Sequence, residues 1–185
     1  MRYKVFTDKD LEDFKNKLLN KKKYSKKIKD YLLNSNIPLK DKFIIALANL
    51  STQMYGPLLE KIVIKELGLK KISSTKNIGD CYNENTGKYY EIKCGLVSNN
   101  QIYLFQVRPY QNVDYISAHY EPKTDSLVFM LIKKEDMNNL CNDISSSSHG
   151  SGNFKNEEKQ IAVSIDSNTF IENNLTFEEL KEYVG

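Results

Sequence analysis

The sequence of 185 residues is poor in the residues that build disulfide, zinc and nucleotide sites. Its three cysteines are odd in number and none are spaced as CxxC, which argues against a disulfide framework and a cysteine-based zinc site. The two histidines, His119 and His149, lie far apart, so a histidine-based zinc enzyme lacks support. GxxxxGKS, GxxxxGKT and GxSxG are absent, which excludes P-loop ATPases and α/β-hydrolases on motif grounds.

Long hydrophobic segments are also missing. No apolar run approaches the ~18 residues that a membrane-spanning helix needs, so no contact with a membrane is predicted. The first residues, MRYKVFTDKDLEDF, lack the apolar stretch followed by small residues that is typical of a secretory signal. These features, with the unpaired cysteines, predict a soluble cytoplasmic protein.

Positive charge is concentrated at one end of the sequence. Residues 1–42 hold 13 Lys and Arg against 6 Asp and Glu, whereas the remainder holds 14 against 18. A basic segment of this kind suits a phosphate backbone. An ordinary solvated helix in a lysine-rich chain explains the same charge equally well.

The hydrophobic periodicity changes along the chain. Three- and four-residue steps predict helices over 8–34 and 41–56, and a third from Pro57, in its first turn, to a C-terminal cap at Gly68. Alternation predicts meandering strands within 76–82, 88–96, 101–110 and 126–134, of which the last and most apolar is expected to be central. A short helix at 135–141, a polar loop, a strand at 159–165 and a capped C-terminal helix at 176–184 follow.

This order of elements predicts an α/β (α+β) fold with a mixed central sheet flanked by helices and a helical N-terminal region. The length suits one domain over 1–185. Within it, 1–56 forms the helical N-terminal region, 57–133 the core, and 134–185 a C-terminal loop, strand and helix.

The segment GDCYNENTGKYYEIKCG, residues 79–95, carries the candidate chemistry. Glu-x-Lys occurs four times in the sequence, but only Glu91-Ile-Lys93 lies in a predicted strand, where alternate side chains share one face. Asp80 ends the preceding strand, and the intervening turn folds the two strands back on each other. Two carboxylates and a carbonyl on adjacent strands suit the oxygen-seeking Mg²⁺ ion, and a nearby ammonium offsets phosphate charge.

An ordinary hairpin with an exposed Glu–Lys pair is the alternative reading of this segment. Such a surface pair contributes less than about 1 kcal/mol to stability and has no chemical role. On residues 79–95 alone, the two readings have about equal weight.

The wider constellation resembles the PD-(D/E)xK nuclease superfamily, and in particular the type II restriction endonucleases. Glu60 on a helix precedes Asp80, then Glu91-Ile-Lys93, then a strand with Gln106 and Arg108. The resemblance covers residues 57 to 133, and it implies a restriction-endonuclease-like mixed sheet flanked by helices. Gly79 stands where the family's name expects Pro.

The resemblance implies a role for each matching residue. Asp80 and Glu91 are the expected Mg²⁺ ligands, together with the carbonyl of Ile92. Lys93 is the expected catalytic lysine, and Glu60 matches the helix glutamate that some members add to the metal site.

Candidate DNA contacts lie further along the chain. Aromatic, amide and basic side chains after the third strand, and a Ser- and Gly-rich loop, could hold phosphates or read base edges. The candidates are Gln106, Arg108, Tyr110, Gln111, His119, His149 and Lys155. Amphipathic packing explains any single tyrosine better, and a plain flexible connection explains the loop better.

The implied activity is Mg²⁺-dependent hydrolysis of phosphodiester bonds in double-stranded DNA at a specific sequence. One such site cuts one strand, so cleavage of both implies a homodimer or a larger partner subunit that recognises the sequence. A repair or recombination nuclease that reads DNA structure remains open. So does a non-catalytic DNA-binding or protein-interaction module.

Overall fold

The computed structural model describes most of the chain from Gly56 onward and parts of the N-terminal region. The described residues are 9, 12, 16, 26–36, 52–73, 78–97, 101–108, 111–121, 126–142, 147–148, 161–166, 169 and 173–185. The chain divides into two compact units, Lys4–Tyr55 and Gly56–Gly185, the second of which also includes Met1–Tyr3.

In the first unit the structure describes helix α1, Lys26–Leu33, and helical positions at Lys9, Glu12 and Asn16. These confirm helical structure within the predicted 8–34 segment. Most of the predicted 41–56 helix lies outside the described residues.

Helix α2, Thr52–Glu66, corrects the predicted boundary at Gly56 and Pro57. Proline was expected in the first turn, but Pro57 lies inside the helix, where it lacks the N–H for an intrahelical hydrogen bond. The apolar side chains Leu59, Val63 and Leu67 are all buried, and their four-residue spacing gives the helix one packed face. Gly68 follows with a φ of +66°, as predicted for the C-terminal cap.

Two sheets form the body of the second unit. One has the strand order β1-β2-β3-β5-β6, with β1 Lys70–Lys71, β2 Cys81–Tyr82, β3 Tyr89–Leu96, β5 Asp114–Glu121 and β6 Ser126–Ile132. The other has the order β4-β8-β7, with β4 Gln101–Val107, β7 Ser147–Ser148 and β8 Ile161–Asp166. Only the β3–β5 pair is parallel among the described strands, so the structure is mixed α/β with mostly antiparallel sheets.

The predicted meander is wrong in two respects. β3 pairs with β5 rather than with its sequence neighbour β4, which belongs to the second sheet. The apolar β6 lies at the edge of its sheet rather than at the centre. Packing against the C-terminal segment explains its hydrophobicity, because the Phe129 and Phe177 rings lie 5.8 Å apart and the Leu175 N–H donates to the Phe129 carbonyl.

Helices α3, Lys134–Asn142, and α4, Phe177–Val184, confirm the two predicted C-terminal helices. The capping box between Thr176 and Glu179 is present in both directions. A shared core joins β4, β5, β6, β8 and α3. Its buried members are Ile102, Leu104, Val107, Tyr115, Met130, Ile132, Met137, Cys141, Val163 and Ile165.

Candidate active site

A hairpin formed by β2 and β3 carries the candidate site. The Asn83 side chain closes its turn, because Oδ1 accepts hydrogen bonds from the N–H groups of Asn85, at 2.7 Å, and Thr86, at 3.1 Å. The Asn83 Nδ2 group donates to the carbonyls of Val184, at 2.8 Å, and Gly185, at 3.0 Å. The turn is therefore anchored to the end of helix α4.

Asp80 is fixed by hydrogen bonds to both neighbouring segments. Its N–H donates to the Tyr90 carbonyl at 2.9 Å, and its own carbonyl accepts from the Ile72 N–H at 2.8 Å. Its Oδ2 accepts from the Ile92 N–H at 2.9 Å. The Asp80 carboxylate is therefore hydrogen-bonded to the backbone N–H of Ile92, the residue between Glu91 and Lys93.

The backbone at Gly79 is closed to proline. Its φ of +107° is closed to proline, whose ring holds φ near −65°. A Cβ atom at this position would lie 2.7 Å from the Tyr90 carbonyl oxygen. Glycine is therefore required for the close approach of the two strands immediately before Asp80.

Glu91 and Lys93 form a buried ion pair rather than an exposed one. Lys93 Nζ lies 2.7 Å from Glu91 Oε1, and the side chains are 12% and 2% exposed, respectively. The alternative of a solvated surface pair does not describe this geometry. Their contact confirms that both side chains project from the same face of β3.

The second carboxylate oxygen of Glu91 has no hydrogen-bond partner among the described residues. Oε2 is buried, and no hydrogen-bond donor contacts it within the described part of the chain. Burial raises the pKa of the Glu91 carboxyl, the positive charge of Lys93 opposes this, and the negative charge of Asp80 adds to it. Burying a carboxylate oxygen without a partner costs folding free energy, and contact with a cation or a hydrogen-bond donor removes this cost.

Lys93 has a second acceptor on another strand. Its Nζ donates to the Gln106 carbonyl at 3.0 Å. Gln106 has a φ of +55°, the only positive φ among the described non-glycine residues. The sequence motif could not indicate this acceptor, because it is a backbone atom.

Arg108 lies within electrostatic reach of the pair. Its positive charge opposes the increase in the pKa of Glu91. Its carbonyl accepts hydrogen bonds from the Tyr115 hydroxyl, at 3.0 Å, and from the Gln111 N–H, at 2.9 Å. The backbone is thus held in place beside the site, as expected for a residue bordering it.

Glu60 is near the site but already has a partner. Glu60 Oε1 lies 2.9 Å from Lys71 Nζ, and this hydrogen bond raises the pKa of Lys71. The negative charge of Asp80 raises the same pKa further, so the Lys71 ammonium is under the electrostatic influence of both carboxylates. Sequence reasoning missed Lys71, since nothing in a lysine-rich chain distinguishes it.

The remaining candidate residues are scattered. The Gln106 side chain is exposed, whereas Gln111 is 2% exposed and both of its amide atoms lack partners in the described structure. His119 is fully buried, with Nδ1 2.9 Å from Ser117 Oγ, so it presents no surface to DNA. Tyr110, His149 and Lys155 lie outside the described residues.

The donor set suits one hard cation. No group of three His, Cys, Asp or Glu side chains that could hold a metal occurs among the described residues. Asp80 and Glu91 supply two carboxylates, and Glu91 Oε2 is without a partner in the part of the chain that the structure covers. The N–H and C=O of one strand residue point to the same edge, so the Ile92 carbonyl lies on the edge of β3 from which its N–H donates to Asp80. Two carboxylates and a carbonyl fit Mg²⁺, which completes its shell with water and substrate oxygens.

None of the helices described combines the length and hydrophobicity needed to cross a membrane.

No protein-family model matches the chain, and no curated protein matches it.

Proposed function

We propose that this protein is a Mg²⁺-dependent endonuclease of restriction type that hydrolyses phosphodiester bonds of double-stranded DNA at a specific sequence. The main observation is the buried Glu91 carboxylate, which has Lys93 on one oxygen and, among the residues that the structure describes, no partner on the other. Asp80, hydrogen-bonded to the intervening amide, adds the second carboxylate. An ion pair without a function would be expected at the solvated surface, because burying an unsatisfied charge is costly.

Asp80, Glu91 and the Ile92 carbonyl are the residues that would hold the ion. Mg²⁺ there would supply charge neutralisation on the scissile phosphate and a water with a lowered pKa. The Asp80–Ile92 hydrogen bond fixes one carboxylate against β3. The buried environment of Glu91 excludes competing water and strengthens its electrostatic interactions.

Lys93 is proposed to act on the phosphate or on the attacking water. An ammonium group has three hydrogens to donate, and Glu91 Oε1 and the Gln106 carbonyl accept two of them. No third acceptor contacts Nζ within the described ranges, so the remaining hydrogen would serve a non-bridging phosphate oxygen or orient the water. Arg108 adds positive charge at the edge of the same site. The proposed products carry 5′-phosphate and 3′-hydroxyl ends.

Cleavage of both strands requires two such sites. We propose that they come from a homodimer or from a larger partner subunit that recognises the sequence. The basic N-terminal segment, 1–42, would add affinity for the DNA backbone.

A plasmid-cleavage assay with Mg²⁺ tests the proposal on the wild type, Lys93→Ala and Lys181→Ala. Lys181 is an exposed lysine in another Glu-x-Lys, on helix α4, and serves as the matched control. We expect discrete fragments from the wild type and Lys181→Ala, and roughly 100-fold slower cleavage by Lys93→Ala. Wild-type cleavage by Lys93→Ala would contradict the assigned role, and a smear would indicate a nuclease that does not read sequence.

If none of these three proteins cleaves DNA by itself, a measurement of metal binding distinguishes the remaining explanations. Calorimetric titration with Mn²⁺ or Ca²⁺ should show binding to the wild type and its loss in Asp80→Asn. Asparagine retains an oxygen for the Ile92 N–H, so the hairpin is expected to survive the substitution. Binding without cleavage indicates a subunit that needs its partner. The absence of both would leave a non-catalytic module and refute the proposal.

A further inference from the structure

The second sheet contains a bulge beside the candidate site. β4 and β8 pair regularly from Gln101↔Asp166 to Leu104↔Val163, and the next pair is Val107↔Ile161. Two residues of β4, Phe105 and Gln106, therefore oppose a single residue of β8. This two-against-one pattern is a β-bulge, a feature that re-aims backbone groups next to functional sites.

Gln106 occupies the strained position of this bulge. Its φ of +55° is in the left-handed region, which bulges and turns usually assign to glycine. In regular pairing the Gln106 carbonyl would point toward β8, within the β4–β8 ladder. It instead accepts the Lys93 Nζ hydrogen bond at 3.0 Å, from a residue of the other sheet.

We infer that the Gln106 bulge is a positioning device for Lys93, and that the backbone carbonyl rather than the glutamine side chain performs this role. Lys93 has a long, flexible side chain, and Glu91 alone would leave its ammonium free to rotate about one contact. A second fixed acceptor from the neighbouring sheet defines where Nζ lies. The inference rests on the proposed function only for its effect on catalysis, since the anchoring itself is a property of the chain.

Two other roles for Gln106 give different expectations. If the exposed side chain contacts DNA, every substitution that removes the amide should weaken DNA binding alike. If the bulge only returns Val107 to the core, where it is fully buried, substitutions should alter stability without releasing Lys93. Positioning through the carbonyl predicts that the effect follows the tolerance of each residue for positive φ.

The substitutions Gln106→Gly, Gln106→Asn, Gln106→Ala and Gln106→Val separate these roles. Glycine and asparagine accept positive φ, alanine accepts it less readily, and the β-branched valine resists it. Gln101→Val is the matched control, because it makes the same exchange at an exposed, regularly paired position of β4.

The first readout is an NMR spectrum of the full chain carrying ¹³C-labelled lysine. The Lys93 Cε–Hε signals are identified by their loss in Lys93→Arg. A fixed side chain gives the two Hε protons distinct shifts, whereas a freely rotating one averages them. We expect distinct shifts in the wild type, Gln106→Gly, Gln106→Asn and Gln101→Val, and averaged shifts in Gln106→Val. This readout does not depend on nuclease activity.

The second readout is cleavage kinetics, where the wild type cleaves DNA. We expect kcat to follow the order Gly and Asn above Ala above Val, with roughly a 100-fold loss in Gln106→Val and little change in KM. Distinct Lys93 shifts in a folded Gln106→Val, or averaged shifts in Gln106→Gly, would overturn the inference. If Gln106→Val does not fold, the other three variants decide. Averaged Lys93 shifts in Gln106→Gly or Gln106→Asn still overturn the inference. Distinct shifts in both, with broader signals in Gln106→Ala, support it.

Discussion

Gly79 is required for two separable reasons, its positive φ and the small space beside it. A Cβ atom would meet the Tyr90 carbonyl oxygen at 2.7 Å, whereas a Cβ atom at Gly87, with a φ of +68°, would meet no atom within 4 Å. Gly79→Ala is expected to lower the free energy of unfolding by about 2–4 kcal/mol, because it adds a backbone clash to the cost of positive φ. Chemical denaturation of the purified variant measures the change.

Gly87→Ala is the control for backbone conformation alone. It should cost only about 1 kcal/mol, since it adds a left-handed alanine in open space. Equal losses in the two variants would mean that the close approach to Tyr90 contributes nothing.

His119 makes the stability of the fold depend on pH. Burial lowers the pKa of His119 to about 4, compared with 6.5 in an unfolded chain. Between these values the unfolded chain binds a proton that the folded protein does not, so stability falls as the pH falls below about 6.5. His119→Gln should reduce the difference in unfolding free energy between pH 7 and pH 5 by about 1–2 kcal/mol.

Urea denaturation of both proteins at the two pH values measures this difference. Comparing the variant with the wild type cancels the contribution of the carboxyl groups that titrate in the same range. An identical pH dependence in the two proteins would show that folding does not lower the pKa of His119.

At the scale of single elements, the features with local signals were predicted correctly. Each of these features depends on residues only a few positions apart in the sequence. They are the turn between β2 and β3, the capping box of helix α4 and the glycine after helix α2. Stacking of Tyr82 on Tyr89, with ring centroids 5.8 Å apart, adds a cross-strand contact to the hairpin. Neighbouring residues suffice to specify such elements.

β5 had no local signal, although it lies between β3 and β6 in the sheet. Its sequence, DYISAHYE, shows no alternation because most of both faces is buried, and its polar residues interrupt the apolar run that such burial usually produces. Ser117 and His119 satisfy each other at 2.9 Å, which permits polar side chains inside the core. Its parallel pairing with β3 skips an intervening strand, and periodicity holds no information about such a partner.

The hairpin turn and the end of helix α4 are expected to lose stability together. Asn83→Ala removes the two donors to Val184 and Gly185 and the acceptor for the turn. We expect a loss of about 1–3 kcal/mol of unfolding free energy, since buried partners are left unsatisfied. Hydrogen exchange should become faster both in the turn and at the Gly185 N–H.

Asn85→Ala is the matched control, because Asn85 is exposed and bonds to Asn83 through its backbone. Its exchange rates should resemble those of the wild type. Faster exchange in the turn of Asn83→Ala without any change at Gly185 would show that the two ends are not coupled.

At the scale of the whole molecule, the sequence predicted which charged residues the hairpin brings together but not what surrounds them. Asp80, Glu91 and Lys93 were found because one hairpin brings them together. The Gln106 carbonyl and Lys71 reach this area from other elements, and their contacts depend on how the sheets and helix α2 pack. These contacts could therefore be identified only in three dimensions.

The contact between Asn83 and Val184 spans 101 residues of sequence. During synthesis the hairpin emerges from the ribosome well before the segment that anchors its turn. At about 5–20 residues per second, the delay is roughly 5–20 s. The proposed catalytic groups therefore spend the early life of each nascent chain on a hairpin whose turn is not yet anchored to helix α4.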